Sequence, residues 1–281
     1  MTRPDYGAPP FDEDVLRRPS ASRIAHLLLG GHRDAYPADT DLTTRLAAVF
    51  DGLERAARIG RAHRTLTALY LAHRGFRQYL DLGCGYPSPD PSHPDIHHLV
   101  HRHYPDATVV YVEADRLAHS HARAMAFGAD GVHHVLADIR NLPELLTDID
   151  AITRGALRRD LPIAVFATDV LQWITDHGLD QNLAELRAWL PAGSALSVTH
   201  PTGDFGQEEV MSQLTFLYEE ADITYLPRPY NAVAGMFGDW IQQGPGIQPV
   251  ARWHADHPDR AAPEQTSAAW AGIAVKPSEW P

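Results

Sequence analysis

The sequence predicts an α/β protein whose core is a doubly wound, mostly parallel β-sheet, with a helical extension at its N-terminus. Two observations predict this fold. From residue 77 onward, short apolar segments of strand length alternate with longer segments of helical periodicity. Before residue 77, apolar residues recur only at helical spacing. Parallel neighbouring strands need a crossover connection, and an intervening helix supplies it.

The sequence of the N-terminal quarter predicts a flexible N-terminal segment followed by helices. Residues 1–19 are rich in Pro, Gly and Asp without periodicity, so we interpret them as a flexible lead. Ser20 is a typical N-cap residue, and Gly30 and Gly31 suit the left-handed end of the short helix that follows. The helical extension covers residues 20–76. Its two further amphipathic stretches run from Asp39 or Thr40 to Leu53 and through Leu66 to Arg74.

Residues 77–281 predict one core domain, without repeats or a linker. The five strand candidates, bounded by Gly, Pro, Asp or Asn, span 78–82, 108–112, 132–137, 163–168 and 195–199. The helical segments between them lie near 96–103, 116–127, 142–157 and 179–190. The less regular remainder predicts helices over 207–220 and 231–242 and strands over 246–253 and 268–275. The last two strands could close the sheet as an antiparallel pair, although Pro249 limits the first to an edge or a bulge.

A glycine turn follows the first predicted strand. Residues 79–85 read Tyr-Leu-Asp-Leu-Gly-Cys-Gly, so an apolar strand ends in Asp81 and in two glycines, Gly83 and Gly85. Glycine lets backbone amides approach a nucleotide-like ligand at the carboxyl end of the strand, where doubly wound sheets bind. The dinucleotide fingerprint needs a third glycine, and Ser88 stands in its place. A nicotinamide-dependent oxidoreductase is therefore disfavoured.

Acidic residues also end the next two predicted strands. Glu113 ends the second strand, and an ionised carboxylate there can accept hydrogen bonds from two adjacent ribose hydroxyls. Asp138 follows the third strand. Together with Asp81, these carboxylates would repel an anionic cofactor such as NAD and favour a cationic, phosphate-free adenosine ligand.

At these motifs the chain resembles the class I S-adenosylmethionine-dependent methyltransferases, whose sheet is Rossmann-like. In that superfamily the acid and glycine turn, the ribose-binding acid and the aspartate beside adenine correspond to Asp81 with Gly83 and Gly85, to Glu113 and to Asp138. More narrowly, the chain is similar to a family of S-adenosyl methyltransferases long catalogued as a domain of unknown function. The matching pieces are Pro19 to Ile24, Leu28 to Gly31, Leu80 to Pro87, Asp95 to His97, Val110 to Asp115, Ala137 to Arg140, Pro191 to Ser194, His200 to Asp204 and Trp270 to Gly272.

The resemblance implies that S-adenosylmethionine is the cofactor and that its methyl group passes in line to an unidentified small-molecule acceptor. The helical extension would then lie over the cofactor as a lid. If the acceptor needs a base, His200 after the fifth strand is the candidate, with His97 as a second one. The expected cofactor-binding residues are Arg23, Gly30, Asp81, Gly83, Gly85, His97, Glu113, Ala114, Asp138, Ile139 and Asp169.

Two departures from the family pattern leave an alternative open. Asp169 occupies an ordinarily apolar position, and Gln172 replaces the usual histidine after the fourth strand. Asp169 could serve as a base or contact the cofactor, and we expect the contact. The departures also fit a catalytically silent protein of the same fold that only binds S-adenosylmethionine or S-adenosylhomocysteine.

Composition narrows the remaining partners. Lys plus Arg number 24 and Asp plus Glu 36, and this net charge of -12 repels extended nucleic acid. The single cysteine, Cys84, excludes disulfides and thiolate zinc clusters. His97 and His101 share a helix face, but no acidic third ligand has suitable spacing, so we predict no metal site. No apolar stretch reaches the roughly 18 residues of a membrane span. We expect a cytoplasmic protein without membrane partners that could form a homodimer.

Overall fold

A computed structural model describes residues 13–254 and 263–278 of the chain. The strands are β1 (Gln78–Leu82), β2 (Thr108–Glu113), β3 (Val132–Leu136), β4 (Ala164–Thr168), β5 (Ala195–Pro201), β6 (Ile241–Gln242), β7 (Gln248–Pro249) and β8 (Ala269–Val275). The α-helices are α1 (Ala21–Leu28), α2 (Pro37–Val49), α3 (Leu53–His73), α4 (Ile96–His103), α5 (Arg116–Met125), α6 (Leu142–Thr153), α7 (Asp176–Trp189), α8 (Glu208–Glu219), α9 (Tyr230–Gly235), α10 (Val250–Trp253) and α11 (Glu264–Ser267).

The strands form one mixed sheet in the order β3-β2-β1-β4-β5-β8-β6, with β7 paired to β8. Strands β1 to β5 are parallel, and β8 runs antiparallel to β5 with Ala195 opposite Val275. The chain leaves β1 toward β2 and β3 and then returns to place β4 on the other side of β1. Such a reversal opens a crevice at the carboxyl ends of β1 and β4, where doubly wound sheets bind their ligands.

Alternation along the strands builds a hydrophobic core on each face of the sheet. Leu80 and Leu82 of β1 face a core shared with α6 and α7. Tyr79 of the same strand faces the other core, shared with α3 and α4. Full burial of each such leucine contributes about 2 kcal/mol. Because strand residues alternate, Asp81 lies on the Tyr79 side and therefore faces α3.

A third cluster joins the N-terminal helices to α8. Ile24 of α1, Leu46 of α2 and Leu214 of α8 are almost fully buried against one another. These three helices form a cap, which we define as α1, α2 and α8. The cap helices contact the carboxyl-terminal side of the sheet through α1, whose Ser22 reaches the last residue of β2.

Most of the predicted elements are confirmed. Each of the five parallel strands lies within two residues of its expected bounds. Helix α6 ends at Thr153 and not near 157, because Arg154 takes a left-handed conformation with φ 57°. Helix α2 begins after Tyr36, and Asp39 caps it from inside the first turn by accepting a hydrogen bond from the Tyr36 N–H at 2.9 Å.

Two predictions in the C-terminal part are wrong. The strand expected over 246–253 is only the two residues of β7, followed by α10, since Pro249 cannot donate to a further ladder hydrogen bond. The helix expected over 231–242 ends at Gly235, before the short strand β6. The predicted antiparallel strand over 268–275 is confirmed as β8.

Of the predicted flexible lead, residues 1–12 lie outside the described part of the chain, and Glu13–Leu16 form a short 3-10 helix. None of the helices within 13–254 and 263–278 has the length and apolar character that crossing a membrane requires.

Candidate functional site

A cavity of about 550 Å³ lies at the carboxyl ends of β1, β2 and β4, beneath the cap. Its walls come from α1, α3, α8 and the loops that follow the strands. The position agrees with the crevice that the strand order creates. Seven of the predicted site residues line it, namely Gly83, Gly85, Glu113, Ala114, Asp138, Ile139 and Asp169.

The glycine turn after β1 forms the cavity floor. Gly83 takes φ 69°, and a Cβ there would lie 2.2 Å from Val170 Cγ2, so only glycine fits against the turn that follows β4. Gly85 takes φ 68°, and its N–H donates to Glu113 Oε2 at 2.7 Å. Cys84 between them is half-buried, and desolvation raises the pKa of its thiol, which makes it unsuited to act as a nucleophile.

The Glu113 carboxylate accepts hydrogen bonds from three separate residues. Its Oε1 accepts from the Asp115 N–H at 2.8 Å and from Ser22 Oγ at 2.9 Å, in addition to the Gly85 contact on Oε2. Burial raises the pKa of Glu113, and these three hydrogen bonds act against that rise. The carboxylate is thereby fixed at the end of β2 with its edge in the cavity.

Helix α1 is tied to the same corner of the site. Ser20 Oγ donates to Asp115 Oδ2 at 2.5 Å. Arg23, which we expected at the cofactor, is 1% exposed and forms an ion pair with Asp39 at 2.7 Å and a longer one with Asp115 at 3.4 Å. It does not line the cavity. Its place in the structure is therefore to anchor α1 and α2 above β2.

Asp138 and Ile139 line the cavity beyond β3. Asp138 Oδ1 accepts from the Arg140 N–H at 2.9 Å, and Arg140 Nε donates to Oδ2 at 2.8 Å. Burial opposes ionisation of Asp138, but the Arg140 contacts outweigh it and lower the pKa. Asp138 is thus an ionised, half-buried group on this side of the cavity.

The buried charges beneath the glycine turn differ from expectation. Asp81 does not line the cavity; it is 1% exposed and forms an ion pair with Arg64 of α3. Arg64 does line the cavity, and burial and the neighbouring Arg61 lower its pKa to about 10. Arg64 Nη1 has no hydrogen-bond partner among the described residues, since Asp95 Oδ1 is 3.9 Å away. A buried donor group of a residue that lines the cavity therefore lacks a hydrogen bond.

The turn after β4 supplies a second polar group. Asp169 has φ 47°, and its Oδ1 accepts from Thr199 Oγ1 at 2.8 Å. A Cβ on Gly60 of α3 would lie 2.6 Å from Asp169 Oδ2, so this oxygen reaches the helix backbone. Gln172, 3% exposed, donates from Nε2 to the Asp169 carbonyl oxygen at 2.7 Å.

The remaining predicted residues lie away from the cavity lining. His200 is fully buried, with Nδ1 at 2.9 Å from the Pro201 carbonyl oxygen and Nε2 at 3.0 Å from Arg228 Nη1. Burial lowers its pKa to about 3, so the ring is neutral and both nitrogens are engaged. His97 bonds Tyr111 on the wall of a second cavity between α4 and α5. Gly30, with φ 96°, ends α1 and lies beside the lining residue Leu29.

The part of the cavity under the cap is apolar and aromatic. Trp173, Tyr218 and Tyr225 form a cluster with ring centroids 4.7 to 5.4 Å apart. The other apolar lining residues there include Leu28, Phe50, Leu53, Met211 and Leu214. Sequence reasoning missed this wall, because its members come from four distant segments, and it missed Arg64 for the same reason. For Arg64, the only signal that the sequence offered was an arginine at a helical position.

The comparisons with known proteins agree with this geometry. The sequence profile of a family described as S-adenosyl methyltransferase matches residues 12–277. A search of curated proteins finds no match.

Two solved structures share the fold over nearly the whole chain. A proposed methyltransferase from Thermobifida fusca YX is 26% identical, with a TM-score of 0.83 over 93% of this chain and 96% of that one. A DUF574 family protein from Streptomyces avermitilis MA-4680 is 24% identical, with a TM-score of 0.85 over 93% and 99% of the two chains. Because the profile covers nearly all of the chain, including every strand end that lines the cavity, the protein belongs to the S-adenosyl methyltransferase family.

Proposed function

We propose that this chain binds S-adenosylmethionine in the cavity and transfers its methyl group to a small-molecule acceptor. The observation that carries the proposal is the Glu113 carboxylate, fixed by the Gly85 and Asp115 amides at the end of β2 with its edge in the cavity. Family membership supports the same reaction type.

The donor groups and acceptors of the cavity fit the parts of this cofactor. Glu113 would accept from the ribose hydroxyls, and Asp138 and Ile139 would flank the adenine. Arg64 Nη1 would donate to the carboxylate of the amino-acid part, which explains its unpartnered donor. The bound cofactor supplies an electrophilic methyl group on a positively charged sulfur.

The chain contributes mainly position and exclusion of water. Ribose and adenine contacts over β2 and β3 direct the rest of the cofactor toward β1 and β4, where the apolar wall begins. An acceptor on that wall would meet the methyl group in a dry cavity, and holding the two reactants in line accounts for most of the expected acceleration.

Calorimetric titration with S-adenosylmethionine, S-adenosylhomocysteine and NAD tests the proposal. We expect saturable binding of the first two and none of NAD. Glu113→Gln removes the charge that accepts from the ribose and should weaken binding about tenfold or more. Glu144→Gln on the exposed side of α6 is the matched control and should bind normally. NAD binding as tight as that of the methyl donor would overturn the proposal.

Turnover separates the enzyme from a silent binding protein. Incubation of the wild-type protein with methyl-labelled S-adenosylmethionine and a small-molecule extract should move label into the extract, and the Glu113→Gln variant should do so more slowly at limiting cofactor. Cofactor binding without label transfer to any fraction would favour the silent binding protein.

A further inference from the structure

Asp169 carries a carboxylate that the protein leaves without a positive partner. No ion pair among the described residues includes it, and its one side-chain hydrogen bond comes from Thr199 Oγ1 on Oδ1. Oδ2 has no donor within the described structure and faces the cavity side of α3 at Gly60. Burial raises the pKa of this carboxyl group.

The backbone at Asp169 is also held in an unfavourable conformation. A φ of 47° is uncommon for a residue with a Cβ. The Asp169 N–H donates to Thr199 Oγ1 at 2.9 Å, which fixes the turn at the end of β4. Strain and a half-buried carboxylate without a positive partner at one residue are typical of a functional group.

Gln172 adds a second unpaired hydrogen-bond acceptor to the turn that carries this carboxylate. Its Nε2 must point at the Asp169 carbonyl oxygen, since that oxygen can only accept. The orientation of the amide is thereby fixed, and Oε1 is left buried without a partner among the described residues. A carboxylate oxygen and an amide oxygen, both able only to accept, thus belong to the same wall.

The aromatic cluster of Trp173, Tyr218 and Tyr225 adjoins the same turn. Trp173 follows Gln172 directly, and the charge of Asp169 is close enough to influence Tyr225. Aromatic rings attract cations. A ligand group that bonds both acceptors, Asp169 and Gln172, must donate at least two hydrogens. A hydroxyl offers only one hydrogen, whereas a primary or secondary ammonium group offers two or three.

Resting on the proposed function, we infer that the methyl acceptor is a primary or secondary amine on an aromatic body, bound through its nitrogen by Asp169. Asp169 follows β4, and β4 lies beside β1 on the side opposite to β2, which carries Glu113. An acceptor bound at Asp169 would therefore lie across β1 from the ribose proposed to bind Glu113.

Asp169 also takes the proton that the reaction requires. The bound ammonium group gives one proton to the Asp169 carboxylate and becomes a neutral amine. The nitrogen lone pair then forms the new N–C bond while the S–C bond breaks. The electron pair of the broken S–C bond remains on sulfur. The products are a methylated ammonium ion, a neutral thioether and a protonated Asp169, so atoms and charge balance.

Binding of paired amines and alcohols tests the inference. We would titrate 2-phenylethylamine against 2-phenylethanol, and tryptamine against indole-3-ethanol, in the presence of saturating S-adenosylhomocysteine so that no turnover occurs. At least one amine should bind about tenfold more tightly than its alcohol, because a charge-assisted hydrogen bond is stronger than a neutral one. The methylated product of that amine should be detected by mass spectrometry when the methyl donor is supplied.

Asp169→Asn is the decisive variant, because asparagine tolerates positive φ and keeps the turn. It should lose the preference for the amine when the titrations are made at an S-adenosylhomocysteine concentration that saturates the variant. If it does not fold, Asp169→Gly meets the same backbone demand. Asp222→Asn is the matched control, since Asp222 also has positive φ, is exposed and lies at the cavity lining. It should keep the preference.

The outcomes separate this inference from the proposed function. Absence of cofactor binding by the wild type refutes the proposed function. If the wild type binds the cofactor normally, any of three results overturns the amine inference alone. The alcohols bind as tightly as the amines, no compound of either pair binds, or Asp169→Asn keeps the preference for the amine.

Discussion

At the residue scale, the ion pair of Arg64 and Asp81 connects the buried core to the cavity proposed to bind the cofactor. Both side chains are almost fully buried, so the charge of each is stabilised mainly by the opposite charge of the other. Arg64→Met should lower the free energy of unfolding by about 3 kcal/mol, because it leaves a buried carboxylate unpaired. Chemical denaturation measures the change.

The double variant separates the two roles of the pair. Arg64→Met with Asp81→Asn should recover much of the lost stability, whereas affinity for S-adenosylmethionine should stay low, since the free Nη1 donor is gone. Arg77→Met is the control for a surface pair with Asp106 and should cost less than about 1 kcal/mol. Equal cofactor affinity in the double variant and the wild type would remove Arg64 from the site.

The raised pKa of Asp169 predicts a pH-dependent stability difference. Its folded pKa lies above the unfolded one, so the folded state loses stability as pH rises from the unfolded value through the folded value. Asp169→Asn should therefore be more stable than the wild type at pH 7, by about 1 kcal/mol or more. The difference should vanish below about pH 4.

Thermal unfolding of both proteins between pH 4 and 8 measures this difference, with exposed Asp222→Asn as the reference for a general charge effect. A wild type that is the more stable of the two at pH 7 would show that a compensating cation faces the carboxylate.

At the element scale, helix α3 is fitted to the turn after β4 through Gly60. Alanine in a helix interior is ordinarily about 1 kcal/mol more favourable than glycine. At Gly60, however, the added Cβ would lie 2.6 Å from Asp169 Oδ2. Gly60→Ala should displace the carboxylate, weaken amine binding about tenfold and gain little stability.

Gly178→Ala in α7 is the matched change, because its Cβ would make only an ordinary contact of 3.4 Å with Ile174 Cγ2. Unfolding temperature and amine affinity of the two variants are the measurements. Unchanged amine affinity in Gly60→Ala would mean that Asp169 does not bind the acceptor through Oδ2.

Elements were easier to predict than contacts between them. Apolar patterns and their boundary residues locate the elements, since strand Gln78–Leu82 and helix Ile96–His103 follow directly from local pattern. Asp81 could be placed at a strand end, but its partner lies on α3, and local pattern carries no information about that pairing. His200 failed similarly: we expected it just after a strand ending at residue 199, whereas β5 continues to Pro201 and His200 lies within it, buried against Arg228.

At the scale of the whole molecule, cofactor binding should stabilise the fold. The cavity joins the sheet, α3 and the cap, so a ligand there contacts parts that separate on unfolding. A ligand at 100 times its Kd stabilises by about 2.7 kcal/mol. S-adenosylmethionine should therefore raise the Tm by several degrees, and NAD at the same concentration should not. Equal increases in Tm with both compounds would mean that the cavity does not distinguish S-adenosylmethionine from NAD.

The cap explains how the N-terminal helices take part in the site. Ser22 of α1 bonds Glu113, and α2 packs on α8, so the cap lies over both the Glu113 side of the cavity and the apolar wall. This arrangement supports the lid hypothesis. Removal of residues 1–38 should weaken cofactor binding, and unchanged affinity would argue against a lid.

The most direct test of the account is a crystal structure with S-adenosylmethionine or S-adenosylhomocysteine. We predict density with the ribose hydroxyls on Glu113, the adenine beside Asp138 and Ile139, the amino-acid carboxylate on Arg64, and the sulfur directed toward Asp169. Ligand density in the second cavity near His97, or none in the main cavity at saturating concentration, would contradict the central claim.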